Sequence, residues 1–317
     1  MPSLLDIVGK RYWYFALSLL IIIPGTFTLI TSGLKLGVDF TGGTEFTIQI
    51  PKKDQSLQVD TLFRNDVGNV GYVQPVISST CPGKCQYLVR TKTASQKQVN
   101  KLASDVPKTF GARALVLQHL TVSGTIASQL TQQAITALIA AAIAILLYIS
   151  FAFRRAPNPI RFGIAALIAM LHDVLVVLGI FAILGKVLNV EVDSTFVTAM
   201  LTIIGFSVHD TIVIFDRIRE NLGRRTGQPY EQVVNYSILQ SFVRSINTSF
   251  TVVLTLLAVF LFTGEAIRYF VLAMLIGIIS GTYSSIFNAS QILVVWNNHE
   301  LSRFLRRARG TESARAA

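Results

Sequence analysis

The chain has 317 residues, of which 51% are hydrophobic and only 14% charged. Soluble domains carry about 25% charged residues, so the composition is that of a membrane protein. The formal net charge is +11; Lys and Arg gathered on cytoplasmic loops account for it, and without a recognised motif on a basic soluble face it does not point to nucleic acid. The sequence holds no G-x-x-x-x-G-K-[ST], so no ATPase motor is expected. Its two cysteines have no histidine at metal-ligand spacing, so no metal site is expected. No nucleophile–base set stands out either, so neither an enzyme nor a cofactor is expected.

Lys10 and Arg11 precede an uncharged run from Tyr12 to Ser32. A signal peptide also begins with positive charge, but this run has the length of a span, about 20 residues, and no A-x-A cleavage site. It predicts a retained first helix, with Pro24-Gly25 as a kink. Gly37-Val38-Asp39-Phe40-Thr41-Gly42-Gly43-Thr44 follows. Adjacent glycines after an Asp-aromatic pair predict a tight turn with positive φ, in which Asp39 bonds backbone amides.

From Thr44 to Ser123 the chain is soluble in character. Phe46, Ile48 and Ile50 alternate in a strand over Thr44–Ile50, and Leu57–Val67 has helical spacing. Tyr72–Thr80 and Gln86–Lys92 read as strands flanking Cys81-Pro82-Gly83-Lys84-Cys85, with Pro82-Gly83 as a turn. Ser95–Phe110 reads as a helix with Val99, Leu102, Val106 and Phe110 on one face, and Arg113–Val122 as a last strand. The order β-α-β-β-α-β is ferredoxin-like. If the domain lies outside the cytoplasm, Cys81 and Cys85 can clasp the hairpin as a disulfide or stay reduced. Eleven Lys or Arg stand against six Asp or Glu between Ser32 and Ser123, a balance that solvated faces explain as well as an acidic partner does.

A second span runs from Thr125 to Phe153, with Ala134, Ala137, Ala141 and Ala144 on one face. Arg154, Arg155 and Arg161 bracket a Pro157-Asn158-Pro159 turn before a third span, Phe162–Leu184. His172 and Asp173 fall at its centre, where they either fix helix packing or join a proton path. The fourth apolar segment begins at Thr195 and meets His209 and Asp210 six residues, roughly 9 Å, before the charged run that starts at Asp216. An ionisable group at that depth costs about 2.5–3.5 kcal/mol on insertion scales, so it marks either a polar contact between helices or an ion path.

A charged connection with an amphipathic helix over Tyr230–Gln240 leads to a fifth span, Ser237–Thr263. Arg244, Thr248, Thr251 and Thr255 recur along one of its faces. Arg244 either pairs with Asp210, at comparable depth, or snorkels to the interface. The sixth span, Tyr269–Asn297, carries Ala273, Gly277, Gly281, Ser285 and Ala289 at steps of four, a small-residue packing ridge. A basic tail closes the chain.

Gly205-Phe206-Ser207-Val208-His209-Asp210-Thr211 and the following Ile212–Asn221 resemble the fourth-helix signature of the SecF family. These are membrane subunits of the bacterial protein-export machinery, related to resistance-nodulation-division (RND) transporters. Gly37, Asp39, Phe40, Gly42 and Gly43 match the G-[VI]-D-F-x-G-G motif that SecD and SecF share, and Arg244-Ser245-Ile246-Asn247-Thr248-Ser249 matches R-[ST]-[IL]-x-T-S. Two departures stand out: His209 occupies a position that is more often Asn, and Val122-Ser123-Gly124-Thr125 lacks the proline of the usual entry to the second helix. The resemblance implies six transmembrane helices of RND type with one small extracytoplasmic α+β domain, divided as 1–34, 35–123, 124–300 and a cytoplasmic tail 301–317. It implies Asp210 as proton carrier, with Arg244, Asp173, Thr248 and Thr251 on the path and His172 and His209 beside it. Desolvation would favour the neutral form of Asp210 and an approaching Arg244 its charged form, so alternating contact would load and release a proton. The implied partners are SecD, the SecYEG channel, unfolded preprotein, lipids and protons, with YajC as a further candidate. The positive flanks place both termini in the cytoplasm of a bacterial inner-membrane protein. Two alternatives remain at this point: half of an RND-type exporter for small molecules or lipids, whose external domains would be larger, and a structural subunit with no proton path.

Overall fold

Among the described residues six stretches are long and apolar enough to cross a membrane, and each folds as a helix. A computed structural model of the chain describes residues 6–51, 55–68, 70–78, 81–154, 156–224 and 227–300, with the backbone alone at 72, 74–78, 81–85, 265 and 266. After a 3₁₀ turn at Val8–Lys10 the elements are α1 (Arg11–Ser32), the one-turn α2 (Val38–Thr41), β1 (Gly43–Gln49), α3 (Ser56–Asp66), β2 (Val70–Ser78), β3 (Cys81–Thr91), α4 (Gln96–Phe110) and β4 (Leu115–Val122). The remaining spans are α5 (Gly124–Ala152), α6 (Pro159–Leu188), α7 (Ser194–Arg224), α8 (Tyr230–Phe262) and α9 (Glu265–Ser284), which passes through a π-helical turn at Ser285–Ala289 into α10 (Ser290–Asn297).

The four strands form one antiparallel sheet in the order β2-β3-β1-β4, the ferredoxin-like order. Alternation puts Phe46, Ile48, Tyr87 and Val89 on the face that α3 and α4 cover, where they meet Val59, Phe63, Leu102 and Val106. Phe46 meets Phe63 edge-on at 5.3 Å. Helix α4 begins with a capping box: Ser95 Oγ accepts from Gln98 N, and Gln98 Oε1 accepts from Ser95 N at 2.9 Å. Strand β3 starts at Cys81, with Ser78 opposite it. The hairpin tip therefore precedes Cys81, and Pro82-Gly83 lies within the strand, not in a turn. The Cys81–Cys85 pairing falls on side chains outside the described residues, as does the basic tail 301–317.

Among the spans, α6, α7 and α9 occupy the centre of the bundle, while α1, α5 and α8 lie outside with mostly exposed apolar faces. Such faces suit lipid or another membrane helix. Helix α1 runs unbroken through Pro24. Its Gly25 crosses Gly179 of α6 so closely that a Cβ at either position would stand within 2.8 Å of the other's Cα. The amphipathic helix expected over Tyr230–Gln240 is continuous with the fifth span: no glycine or proline interrupts Tyr230–Phe262, so α8 is one helix. The sixth span, expected as one helix, is divided by the π turn.

Candidate functional site

Among the described residues two carboxylates lie in the helical core, and their surroundings differ. Asp173, near the middle of α6, is 1% exposed. Its Oδ2 accepts from Ser207 Oγ of α7 at 2.6 Å and from Ser284 Oγ of α9 at 2.7 Å. Its Oδ1 accepts from Ser280 Oγ of α9 at 2.7 Å and lies 3.0 Å from His172 Nδ1. These lengths are those of hydroxyl groups bonded to a carboxylate. Four contacts occupy the four lone-pair directions of the group, so three helices converge on one saturated side chain. His172 stacks at 6.2 Å on Tyr283, and its Nε2 is buried with no hydrogen-bond partner among the described residues.

The small-residue ridge makes this convergence possible. A Cβ at Gly277 would fall inside the side chain of Ile203 on α7, and one at Gly281 would stand 3.1 Å from Ser207 Cβ and 3.6 Å from Asp173 Oδ2. Ala273 and Ala289 are fully buried. Ser285 Oγ donates to Ser207 O at 3.1 Å and lies 2.8 Å from Thr211 Oγ1. Ser280 and Ser284 form a second polar line, four residues apart beside the ridge. That spacing, and the i, i+3 relation of Ser207 to Asp210, were the sequence signals available for the serine cage, which the motif reading passed over.

Asp210 lies one turn below Ser207 on α7 and is 9% exposed. Its Oδ2 is buried without a hydrogen-bond partner among the described residues. Ser245 of α8 faces it but stays outside hydrogen-bonding geometry. Arg244 does not meet Asp210: no ion pair joins them among the described residues, and Arg244 is exposed. Neighbouring helix positions point about 100° apart, and Ser245 takes the inward one. Thr248 and Thr251 also lie on the exposed side of α8, and their hydroxyls donate to the carbonyls of Arg244 and Asn247, four residues back. Between α7, α8 and α9 a cavity of about 10 Å³, on the order of one water, is bordered by Ser207, His209, Asp210, Thr248, Ser249 and Thr282.

The glycine motif holds the junction between the sheet and the spans. Gly42 and Gly43 have φ of +71° and +126°, and a Cβ at Gly43 would stand 2.6 Å from Thr91 O. Phe40 packs against the cluster around Phe181 and Phe196. Asp39 does not bond within its own turn. Its Oδ2 accepts from Ser194 N, the first residue of α7, at 2.9 Å, while Asp193 Oδ1 accepts from Phe196 N at 3.0 Å. Gly37 N donates to Val192 O at 2.7 Å, and Val192 N donates to Lys35 O at 2.8 Å. Arg90 of β3 is ion-paired with Glu191 and donates to Leu36 O at 2.8 Å.

Glu45 lies opposite Arg90 in the β1–β3 ladder. Burial raises its carboxyl above the ordinary glutamate value; Glu191 adds to this and Arg90 opposes it. With the folded value above the unfolded one, the folded protein holds the proton more tightly. Stability is then greatest in acid and falls as pH rises through the window above the ordinary glutamate value. Glu45→Gln is therefore expected to melt above wild type at neutral pH, with the gap closing on acidification. Melting curves across that range check this, and a gap that widens in acid would refute it.

Fold and core together define a multi-pass membrane protein of six spans, with a small α+β domain between the first two and ionisable groups in the helix core. Residues 103–299 match the family model "Protein export membrane protein SecD/SecF, C-terminal", and residues 27–50 match "SecD/SecF GG Motif". The chain is 50% identical over 310 residues to the protein translocase subunit SecF of Thermobaculum terrenum, covering 96% of this chain and 98% of that one. It is 38% identical to that of Anaerolinea thermophila, covering 98% of this chain and 100% of the other. The crystal structure of Thermus thermophilus SecDF, described as a translocon-associated membrane protein, superposes with a TM-score of 0.82 at 31% identity. That match covers 93% of this chain and 39% of the longer SecDF chain. The chain belongs to the SecF family of protein translocase subunits, transport components of the Sec pathway.

Proposed function

We propose that this chain pairs with SecD, with YajC as a further partner, and uses the proton-motive force to drive late steps of export through the SecYEG channel. It does so in the bacterial cytoplasmic membrane with both termini in the cytoplasm and the α+β domain, residues 35–123, outside. The observation that carries this reading is Asp210, a buried carboxylate in a membrane-length helix with one oxygen unpartnered among the described residues and a one-water cavity beside it. Such a group has room to gain or lose a proton. The exposed polar face of α8, bearing Arg244, Thr248 and Thr251, is unfavourable against lipid and suits a partner's helices. Those helices could turn Arg244 toward the path. One charge moved through about 100 mV releases roughly 2.3 kcal/mol, enough to bias a two-state rearrangement.

The test is gradient-dependent export in reconstituted membranes containing SecD and the channel, with assembled complex matched between wild type and Asp210→Asn. The variant is expected to lose the gradient-driven part and keep the rest. Full gradient dependence in Asp210→Asn would end the proposal and leave Asp210 as a packing residue.

A further inference from the structure

The three serines that hold Asp173 are alike in bond length and unlike in position. All three are buried, and their hydroxyls lie 2.6–2.7 Å from the carboxylate. Ser280 and Ser284 sit within the core on α9. Ser207 alone of the three also borders the cavity that Asp210 borders. Its hydroxyl is bonded to Asp173, and the residue borders a space large enough for one water. Gly281 keeps this arrangement open, because a Cβ there would press on Ser207 and approach Asp173.

We propose that Ser207 relays protons between Asp210 and Asp173, making Asp173 with His172 a second proton station inside the same chain. This rests on the reading of Asp210 as a proton carrier. In the forward step the O–H bond of Ser207 breaks toward Asp173 Oδ2. Ser207 Oγ takes a replacement proton from the cavity side, supplied by protonated Asp210 across one water. Asp173 ends neutral, Asp210 ends charged, and Ser207 is unchanged in composition. The contact between Ser207 and Asp173 survives with its direction reversed: Asp173 now donates and Ser207 Oγ accepts, while the new Ser207 proton points at the cavity. Ser280 and Ser284 keep their bonds throughout, so Asp173 can change charge without releasing α9. His172 Nδ1 is the other contact of Asp173, and no further charged group bonds to Asp173 among the described residues.

The experiment compares Ser207→Ala, Ser280→Ala and Ser284→Ala in the reconstituted full complex, with Asp210→Asn beside them. A purely structural cage predicts similar effects from all three serines, since each removes one equivalent bond. A relay predicts that Ser207→Ala lowers the gradient-driven component by about a hundredfold, the low end for proton-transfer groups, and changes its solvent isotope effect. Ser280→Ala and Ser284→Ala should cost less and leave the isotope effect of wild type. Equal losses, or equal retention, across the three would overturn the relay. If Ser207→Ala does not assemble, infrared difference spectra of the wild-type complex decide. A protonated-carboxyl band that shifts in Ser280→Ala, and so belongs to Asp173, must appear on acidification; its absence overturns the relay. Retained gradient dependence in Asp210→Asn refutes the carrier reading itself. Its loss there, together with equal serine variants, refutes the relay alone.

Discussion

Valine at position 179 is expected to leave little assembled protein, and alanine there to lower the melting temperature measurably. The cause is the crossing of α1 and α6. A Cβ on Gly179 would stand 2.7 Å from Gly25 Cα, and one on Gly25 would stand 2.8 Å from Gly179 Cα. Carbon atoms prefer about 3.5–4.0 Å, so even one methyl requires the two helices to part by about 1 Å. The atoms in the way are backbone, and no rotamer change relieves the clash. Overpacking of this kind costs about 1–3 kcal/mol for a single methyl, and more as the side chain grows. Gly205 of α7 is the control: a Cβ there meets nothing within 4 Å. Gly205→Ala should hold or slightly raise stability, because alanine is favoured over glycine within a helix by about 1 kcal/mol. Gly25→Ala with Gly179→Ala should cost less than the sum of the two, since the first methyl already opens the gap that the second needs. Melting in detergent and the monodisperse fraction measure all five, Gly25→Ala alone included. Strict additivity, or a neutral Gly179→Ala, would show that the helices separate freely.

The parts of this fold that were legible in the sequence rest on local periodicity. Phe46 and Ile48 alternate because one face of β1 is buried, with Ile50 continuing the pattern just past the strand, and membrane spans announce themselves by length. What was hidden depends on rotation and on distance along the chain. Arg244 and Ser245 are adjacent, and about 100° of helix rotation gives the inward position to serine instead of arginine. The turn around Asp39 predicts bonds to its own backbone, yet its partner Ser194 lies 155 residues away. The serine cage needs residues from three helices, and sequence spacing reports only neighbours on one. The π turn at Ser285–Ala289 adds a residue to a turn of helix without any glycine or proline to mark it. The polar start of α8 follows a charged run and reads as a surface helix over Tyr230–Gln240, although nothing in that segment interrupts helical hydrogen bonding.

Removing Glu191 is expected to loosen the joint between the sheet domain and the start of α7. The side chains of Arg90 and Glu191 are each 13% exposed, which makes theirs the most enclosed pair of acid and guanidinium spanning the sheet and the helices among the described residues. Breaking a buried pair from one side costs about 3–5 kcal/mol, because the remaining charge keeps its desolvation penalty without its partner. Residual exposure puts the expected cost of Glu191→Ala at the lower end of that range. The position decides the consequence. Glu191 is three residues before Ser194, whose amide is held by Asp39, and Val192 is bonded to Gly37 and Lys35. Domain, glycine motif and α7 therefore share one set of contacts, and α7 is the helix that carries Ser207 and Asp210. Amide exchange should rise at Val192–Phe196 and along β3 in Glu191→Ala, and the double variant with Arg90→Ala should cost less than the two single changes combined. Additivity within about 0.5 kcal/mol would mean that the pair contributes nothing beyond its separate residues. If a proton at Asp210 moves the sheet domain by displacing α7, this joint must transmit the displacement. Glu191→Ala should then reduce gradient-driven export while leaving Asp210 and its cavity intact. Unchanged export in a variant whose joint exchanges freely would place the coupling elsewhere in the molecule.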